Sequence, residues 1–332
     1  MNFAEIIGQE DVKSLLKNAI KSGNTSHAYI FSGESGSGKM MLAEAFASML
    51  LCENPSNEDS CGQCHSCKQA IGRNNPDIIY ITHDEDKKNI GVDIIREKIN
   101  NDIILKPYAS KYKVYIVDEA ERMNPQAQNA LLKTIEEPPA YAVLILLTSN
   151  HNGLLQTILS RCVTVQMKPI GKNLIKSYLQ EKLKIVDYQA EIVASFAQGN
   201  LGKAIELSQS EEFNQMKTDV LRLVKKVSNI EEYEISEEIK LFETYKLKMN
   251  EILDLIVLWF RDVLLYKSTR NESFLLFKDD FFDIKQQALN TSYNGIDEIL
   301  AAIDLARKRL ESNVNFDLTM QLLIEGMKEN SK

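Results

Sequence analysis

The stretch His27-Ala28-Tyr29-Ile30-Phe31, the turn Gly33-Glu34-Ser35-Gly36-Ser37-Gly38-Lys39 and the helical pattern opening at Met40 decide the fold. An apolar strand that runs through a Gly-rich turn into a helix has the form of a phosphate-binding loop. Its backbone N–H groups cradle phosphates at the helix N-terminus while the lysine neutralises the outer charges. Gly33, Gly36, Gly38 and Lys39 are the candidate nucleotide-binding residues. One part differs. The residue after the lysine is ordinarily Ser or Thr, whose hydroxyl ligates the Mg²⁺ bridging the β- and γ-phosphates. Met40 stands there, a thioether with little affinity for a hard cation. The spacing therefore predicts ATP or ADP binding with Mg²⁺ poorly held and hydrolysis impaired. A tight connection in an α/β fold, with no ligand, uses the same glycines.

Downstream of the loop, Lys113-Val114-Tyr115-Ile116-Val117 reads as a buried strand that delivers Asp118-Glu119 at its carboxyl end. Acids at that end of a parallel strand reach the edge where open α/β sheets hold ligands. Asp118 would hold Mg²⁺ directly or through water, and Glu119 would orient an attacking water; capping the next helix is the alternative for both. The unbroken apolar run Ala142-Val143-Leu144-Ile145-Leu146-Leu147 suits a strand covered on both faces and leads Thr148-Ser149-Asn150 to the same edge. Shorter strands are expected over residues 76–82 and 163–167. Helical periodicity appears from Val12 to near Gly23 and again over residues 92–99. Asn124-Pro125 opens a further helix, ended by Pro138-Pro139. Strands alternating with helices predict a parallel sheet covered by helices on both faces.

Four of the five cysteines, Cys52, Cys61, Cys64 and Cys67, crowd into a short insert. Two CxxC steps sharing Cys64, with Cys52 just past the preceding helix, can supply four thiolates to one structural Zn²⁺. An iron–sulfur cluster, redox chemistry or free thiols are the alternatives. His65 reads as a solvated loop residue, Cys162 as a buried small side chain, and the polar run 83–88 as a solvated turn.

The 332 residues exceed what one core usually organises, so two or three domains are expected. The acidic balance, 47 Asp plus Glu against 39 Lys plus Arg, disfavours a broad surface for phosphate backbone. No run approaches the roughly 20 apolar residues of a membrane helix, and Met1-Asn2-Phe3-Ala4-Glu5 lacks the marks of a secretion signal. A cytoplasmic location without membrane partners is expected. From Pro169 the texture becomes helical, first in a small unit reaching about Ser208. Beyond Glu211 come successive helices, including an apolar one around Trp259 and two more over residues 297–311 and from Asn315.

These features carry a resemblance. Ile7-Gly8-Gln9-Glu10, His27-Ala28-Tyr29, the four-cysteine insert, Val117-Asp118-Glu119-Ala120, residues 129–139 and Ser160-Arg161-Cys162 together resemble bacterial clamp-loader subunits, which share an AAA+ ATPase fold. Within that family the pattern is most similar to the delta-prime branch of DNA polymerase III, since the gamma/tau motor needs a hydroxyl where Met40 stands. The resemblance implies a P-loop AAA+ domain over residues 1–168 with the zinc insert at 52–67, a helical lid at 169–209, and a helical collar at 210–332. It implies a hetero-pentamer with gamma/tau and delta-like subunits that loads the sliding clamp on primed DNA as part of the polymerase holoenzyme. Arg161 resembles the family's arginine finger, which acts in trans on a neighbour's nucleotide; an ordinary salt-bridged arginine is the alternative. Lys203, in Gly199-Asn200-Leu201-Gly202-Lys203-Ala204, stands where active relatives place a sensing arginine, and a helix-start lysine without a ligand fits as well.

Overall fold

The computed structural model describes residues 2–56, 59–83 and 89–331. Most of the polar run 83–88 and two residues of the cysteine insert, 57 and 58, thus lie outside the described residues. The chain divides into two compact units. The first takes residues 1–175 and 198–203; the second takes 176–197 and 204–332.

In the first unit, β1 (Ala28–Ser32), β2 (Ile78–Ile81), β3 (Lys113–Val117), β4 (Ala142–Thr148) and β5 (Val163–Gln166) form one sheet in the order β2-β3-β4-β1-β5. Every pairing is parallel, as the alternation of strands and helices predicts. Strand periodicity of two sends neighbouring side chains to opposite faces. Tyr29, Phe31, Val114, Ile116, Val143, Ile145 and Leu147 accordingly enter one core layer. Ala28, Ile30, Tyr115, Val117, Leu144 and Leu146 enter the other. Helix α1 (Glu10–Lys21) and α2 (Lys39–Leu51) cover the first face. Residues 42–51 of α2 are all buried, apolar but for Ser48 and for Glu44, which pairs with Arg73 at 2.7 Å, and Phe46 meets Tyr29 edge-on at 5.1 Å. Short α3 (His65–Ile71) follows the cysteine insert.

The opposite face is covered by α4 (Val92–Ile95), a π-helical turn that continues it (Arg96–Asn101), and α5 (Pro125–Glu136). Helix α5 starts where the sequence predicts. The Asn124 side chain accepts the Ala127 N–H at 2.8 Å, and proline fills the first turn, where a missing N–H costs nothing. A single turn, α6 (Gln156–Leu159), leads into β5. The sheet order sets β3, β4 and β1 side by side, so their carboxyl ends converge on one edge.

The chain continues through α7 (Lys172–Leu183), α8 (Asp187–Phe196) and α9 (Leu201–Gln209). The second unit is completed by α10 (Glu211–Lys226), α11 (Glu232–Glu243), α12 (Met249–Thr269), α13 (Phe281–Asn290), α14 (Tyr293–Glu311) and α15 (Phe316–Asn330). Trp259 on α12 is fully buried, and its indole N–H donates to Gln287 Oε1 at 2.7 Å. Among the described residues, no helix is long and apolar enough to cross a membrane.

Candidate nucleotide and zinc sites

The turn after β1 depends on two glycines with positive φ, Gly36 at 79° and Gly38 at 93°, where a side chain would be strained. Gly33 is held for another reason: a Cβ there would lie 2.7 Å from that of Met167. The Lys39 ammonium turns back over the turn, donating to Gly33 O at 2.7 Å and Glu34 O at 2.8 Å. Burial pushes the Lys39 ammonium below its ordinary value, against the upward pull of Glu121, Asp118, Glu119 and Glu34.

Beside it opens a cleft of about 380 Å³, lined by the loop, by Met40 and Met41, and by Asp118, Glu119, Glu121 and Ser149. The predicted loop residues Gly36, Gly38 and Lys39 thus meet the predicted acids in one place. Asp118 Oδ1 accepts the Glu119 N–H at 3.0 Å. Glu119 adopts a left-handed backbone, φ 47°, and its carboxylate pairs with Arg122 at 3.0 Å and His83 at 3.3 Å.

Sequence reasoning missed Glu121. Burial works to raise its carboxyl, but the Ser149 hydroxyl and backbone N–H outweigh that and hold it below the usual carboxylate range. The DEAE spacing after β3 was its only signal, because the partner comes from the end of β4. The Ser37 hydroxyl is buried in the loop without a protein partner, an unfilled acceptor-and-donor position that a phosphate oxygen suits. Glycine backbone, one ammonium and an unmet hydroxyl fit an anion. Met40 puts sulfur at the position where such loops carry a Mg²⁺-ligating hydroxyl, which leaves the Asp118, Glu119 and Glu121 carboxylates as the charged oxygen donors lining the cleft.

A smaller cleft of about 230 Å³ lies between residues 8–12 and 168–174. At its edge, Gln9 Nε2 donates to Lys168 O at 2.5 Å and Gln9 Oε1 accepts the Lys168 N–H at 3.0 Å. Lys203 contributes its backbone N–H to Asn200 Oδ1 at 3.1 Å, capping α9.

Arg161 lies between α6 and β5. Its guanidinium meets Glu136 Oε1 at 3.0 Å and donates to Thr157 O at 3.1 Å, with the side chain 42% exposed. It is a surface cation held by one carboxylate at the end of α5.

The four insert cysteines converge, with all four Sγ atoms within 4.8 Å of one another. Tetrahedral Zn–S bonds of about 2.3 Å require S···S edges of about 3.8 Å. Cys61 and Cys67 Sγ already stand 3.9 Å apart. Backbone N–H groups point at the sulfurs in sequence: Cys61 to Cys52 at 3.3 Å, Cys64 to Cys61 at 3.3 Å, Cys67 to Cys64 at 3.4 Å. Such bonds favour thiolate, and those from Gln63 and Cys64 bring Cys61 down to about 6. Burial pushes Cys52 and Cys67 up, which a metal bound between them would reverse. His65 is exposed, but it opens α3 rather than lying in a loop, because the Cys64 sulfur caps that helix. Asp59 ties the insert to the start of the chain by accepting the Phe3 and Ala4 N–H groups, both at 3.1 Å. Cys162 is largely shielded by apolar neighbours, and burial raises its thiol to about 12, consistent with an inert side chain.

A family model described as DNA polymerase III, delta subunit, matches residues 8–171, and the C-terminal model of the same description matches 211–327. Subunit delta' of DNA polymerase III from Bacillus subtilis is 31% identical over 325 residues, 97% of this chain and 96% of that one. The chain belongs to the bacterial clamp-loader family, in its delta-prime branch. Other subunits of DNA polymerase III also match: subunit tau of Bacillus subtilis is 37% identical over 210 residues, 62% of this chain but 37% of tau. Among solved structures, a gamma subunit-related protein of Thermotoga maritima aligns over 96% of this chain and 99% of its own, at 21% identity and a TM-score of 0.43.

Proposed function

We propose that this delta-prime-type subunit binds nucleotide without turning it over and completes the active site of a neighbouring subunit with Arg161. The observation that carries this reading is Met40, which lines the cleft beside Lys39 where a magnesium-holding hydroxyl would be needed. Gly33, Gly36, Gly38 and Lys39 would receive the phosphates of ATP or ADP, and the smaller cleft beside Gln9 is of a size for the base. Asp118 and Glu119 would remain as acids of the former hydrolytic edge, with Glu119 engaged by Arg122. Arg161 is exposed, and among the described residues its ion pair is with the surface carboxylate of Glu136, so exchanging Glu136 for a neighbour's phosphate has a small cost.

The wider reading follows the family. Residues 1–168 form the AAA+ domain, 169–209 the lid and 210–332 the collar of a subunit that works in the cytoplasm. It joins gamma/tau and delta-like subunits in a hetero-pentamer that loads the sliding clamp on primed DNA within the DNA polymerase III holoenzyme. Cys52, Cys61, Cys64 and Cys67 hold one structural Zn²⁺ that fixes the insert against the end of α2.

A second reading has its own support: tau-type relatives match at 37% identity, and Lys39, Asp118 and Glu119 are all present. That reading makes the chain an autonomous ATPase. The purified chain assayed alone with ATP and Mg²⁺ separates the two. Negligible turnover, with stoichiometric zinc in the same preparation, is expected. Brisk turnover that Lys39→Ala abolishes would establish the ATPase instead.

A further inference from the structure

A loop that offers its N–H groups to a phosphate must turn the carbonyls of the same peptides away from it, and those carbonyls need donors of their own. Three of these acceptors are served locally. Gly33 O and Glu34 O take the Lys39 ammonium, Glu34 O also takes the Ser37 N–H at 3.2 Å, and Gly38 O takes the Leu42 N–H at 3.0 Å. The crown of the loop is served from far along the chain. Ser35 O accepts from Asn200 Nδ2 at 2.7 Å, and Gly36 O accepts the Gly202 N–H at 3.0 Å.

The fit there is close. Asn200 is 7% exposed, and a Cβ on Gly36 would lie 2.9 Å from its Oδ1. A Cβ on Gly202 would lie 2.6 Å from Gly36 O and 2.7 Å from Gly36 Cα, backbone that cannot swing aside. Asn200 also uses its other amide atom: Oδ1 caps α9 through the Lys203 N–H while Nδ2 holds the loop. Residues 198–203 belong to the same compact unit as the loop, although the chain on either side of them does not.

We infer that Asn200 and Gly202 are positioning residues for the phosphate loop. They pin the Ser35 and Gly36 carbonyls outward, so that the loop keeps its anion-receptive shape before any nucleotide arrives. This deepens the proposed nucleotide site and rests on it for its functional consequence, while the shape of the empty loop can be tested without it. Asn200→Ser is the informative variant. A serine retains a helix-capping oxygen and adds no charge, but its hydroxyl is too short to reach Ser35 O. Gly202→Ala attacks the second contact from the other side.

The experiment compares amide hydrogen exchange over residues 33–39 in the full-length wild type and both variants, with melting temperature as control, and titrates each with ATP and ADP. Loss of one hydrogen bond corresponds to about three- to tenfold. Loop exchange is therefore expected to quicken by that factor in Asn200→Ser with little change in melting temperature, and by at least as much in Gly202→Ala, where the backbone clash also lowers the melting temperature. Nucleotide affinity is expected to weaken in step. Loop exchange identical to wild type in both variants would overturn the inference, as would faster exchange spread evenly over the whole unit. A wild type that binds neither nucleotide would instead remove the nucleotide reading, and the exchange comparison would still decide whether the loop is held by Asn200 and Gly202.

Discussion

Met40 and Lys39 are adjacent, and their opposite fates summarise the chemistry of the cleft. Lys39 keeps its ammonium over the loop carbonyls, so positive charge for a phosphate is in hand. Met40 lines the same cleft with a thioether, a side chain with little affinity for the hard cation that ordinarily accompanies nucleotide phosphates. Supplying a hydroxyl there should restore metal dependence. Met40→Thr is expected to bind ATP about tenfold more tightly with Mg²⁺ than without it, a difference of about 1.4 kcal/mol, whereas wild type should show little dependence on Mg²⁺. Calorimetric titration of both proteins with and without Mg²⁺ checks this, and equal Mg²⁺ dependence in the two would count against the role given to Met40.

Among the structural elements, the last part of the connection from the π-helical turn to β3 is gathered by the carboxylate of Asp77. Asp77, 1% exposed, accepts the N–H groups of Tyr108 at 2.6 Å, Ala109 at 3.1 Å and Ser110 at 2.9 Å. Burial works to raise its carboxyl, but these donors outweigh burial and hold it below the ordinary value. A depressed carboxyl contributes stability that is complete above its unfolded value, about 3.9, and is lost as pH falls through the folded value. Asp77→Asn would set an amide NH₂ against one or more of those donors and is expected to destabilise the chain by about 1–3 kcal/mol at neutral pH. The gap from wild type should narrow as the pH drops below about 4, which melting curves at pH 7 and pH 3.5 would reveal; a pH-independent gap would contradict the assigned ionisation.

Legibility divided along the same line. The P-loop, α5 with its Asn124-Pro125 start, and the apolar β4 were readable because each signal is local to a few residues. Glu121, Asn200 and Gly202 were not, because their partners are Ser149, Ser35 and Gly36, residues separated from them in sequence and joined only by the parallel sheet and the return of the chain at 198–203. The gathering of the four cysteines was legible in their spacing, whereas α3, capped by one of those sulfurs, has no separate sequence signature. The π-helical turn after α4 falls where periodicity promised only a regular helix over residues 92–99.

At the scale of the whole molecule, the proposed chemistry is directed outward. The sheet order gathers the loop and the acids into the chain's own cleft, while Arg161 is held at the surface by Glu136. A surface ion pair is worth about 0–1 kcal/mol, so removing Arg161 should leave the fold intact and isolate its effect on catalysis. The decisive measurement is DNA-stimulated ATP turnover by a clamp loader reconstituted with gamma/tau and delta-type partners and either wild-type chain or Arg161→Ala. The account predicts that the variant assembles normally and that turnover at the adjoining motor subunit falls by about a thousandfold or more. Turnover equal to wild type in a fully assembled loader would contradict it.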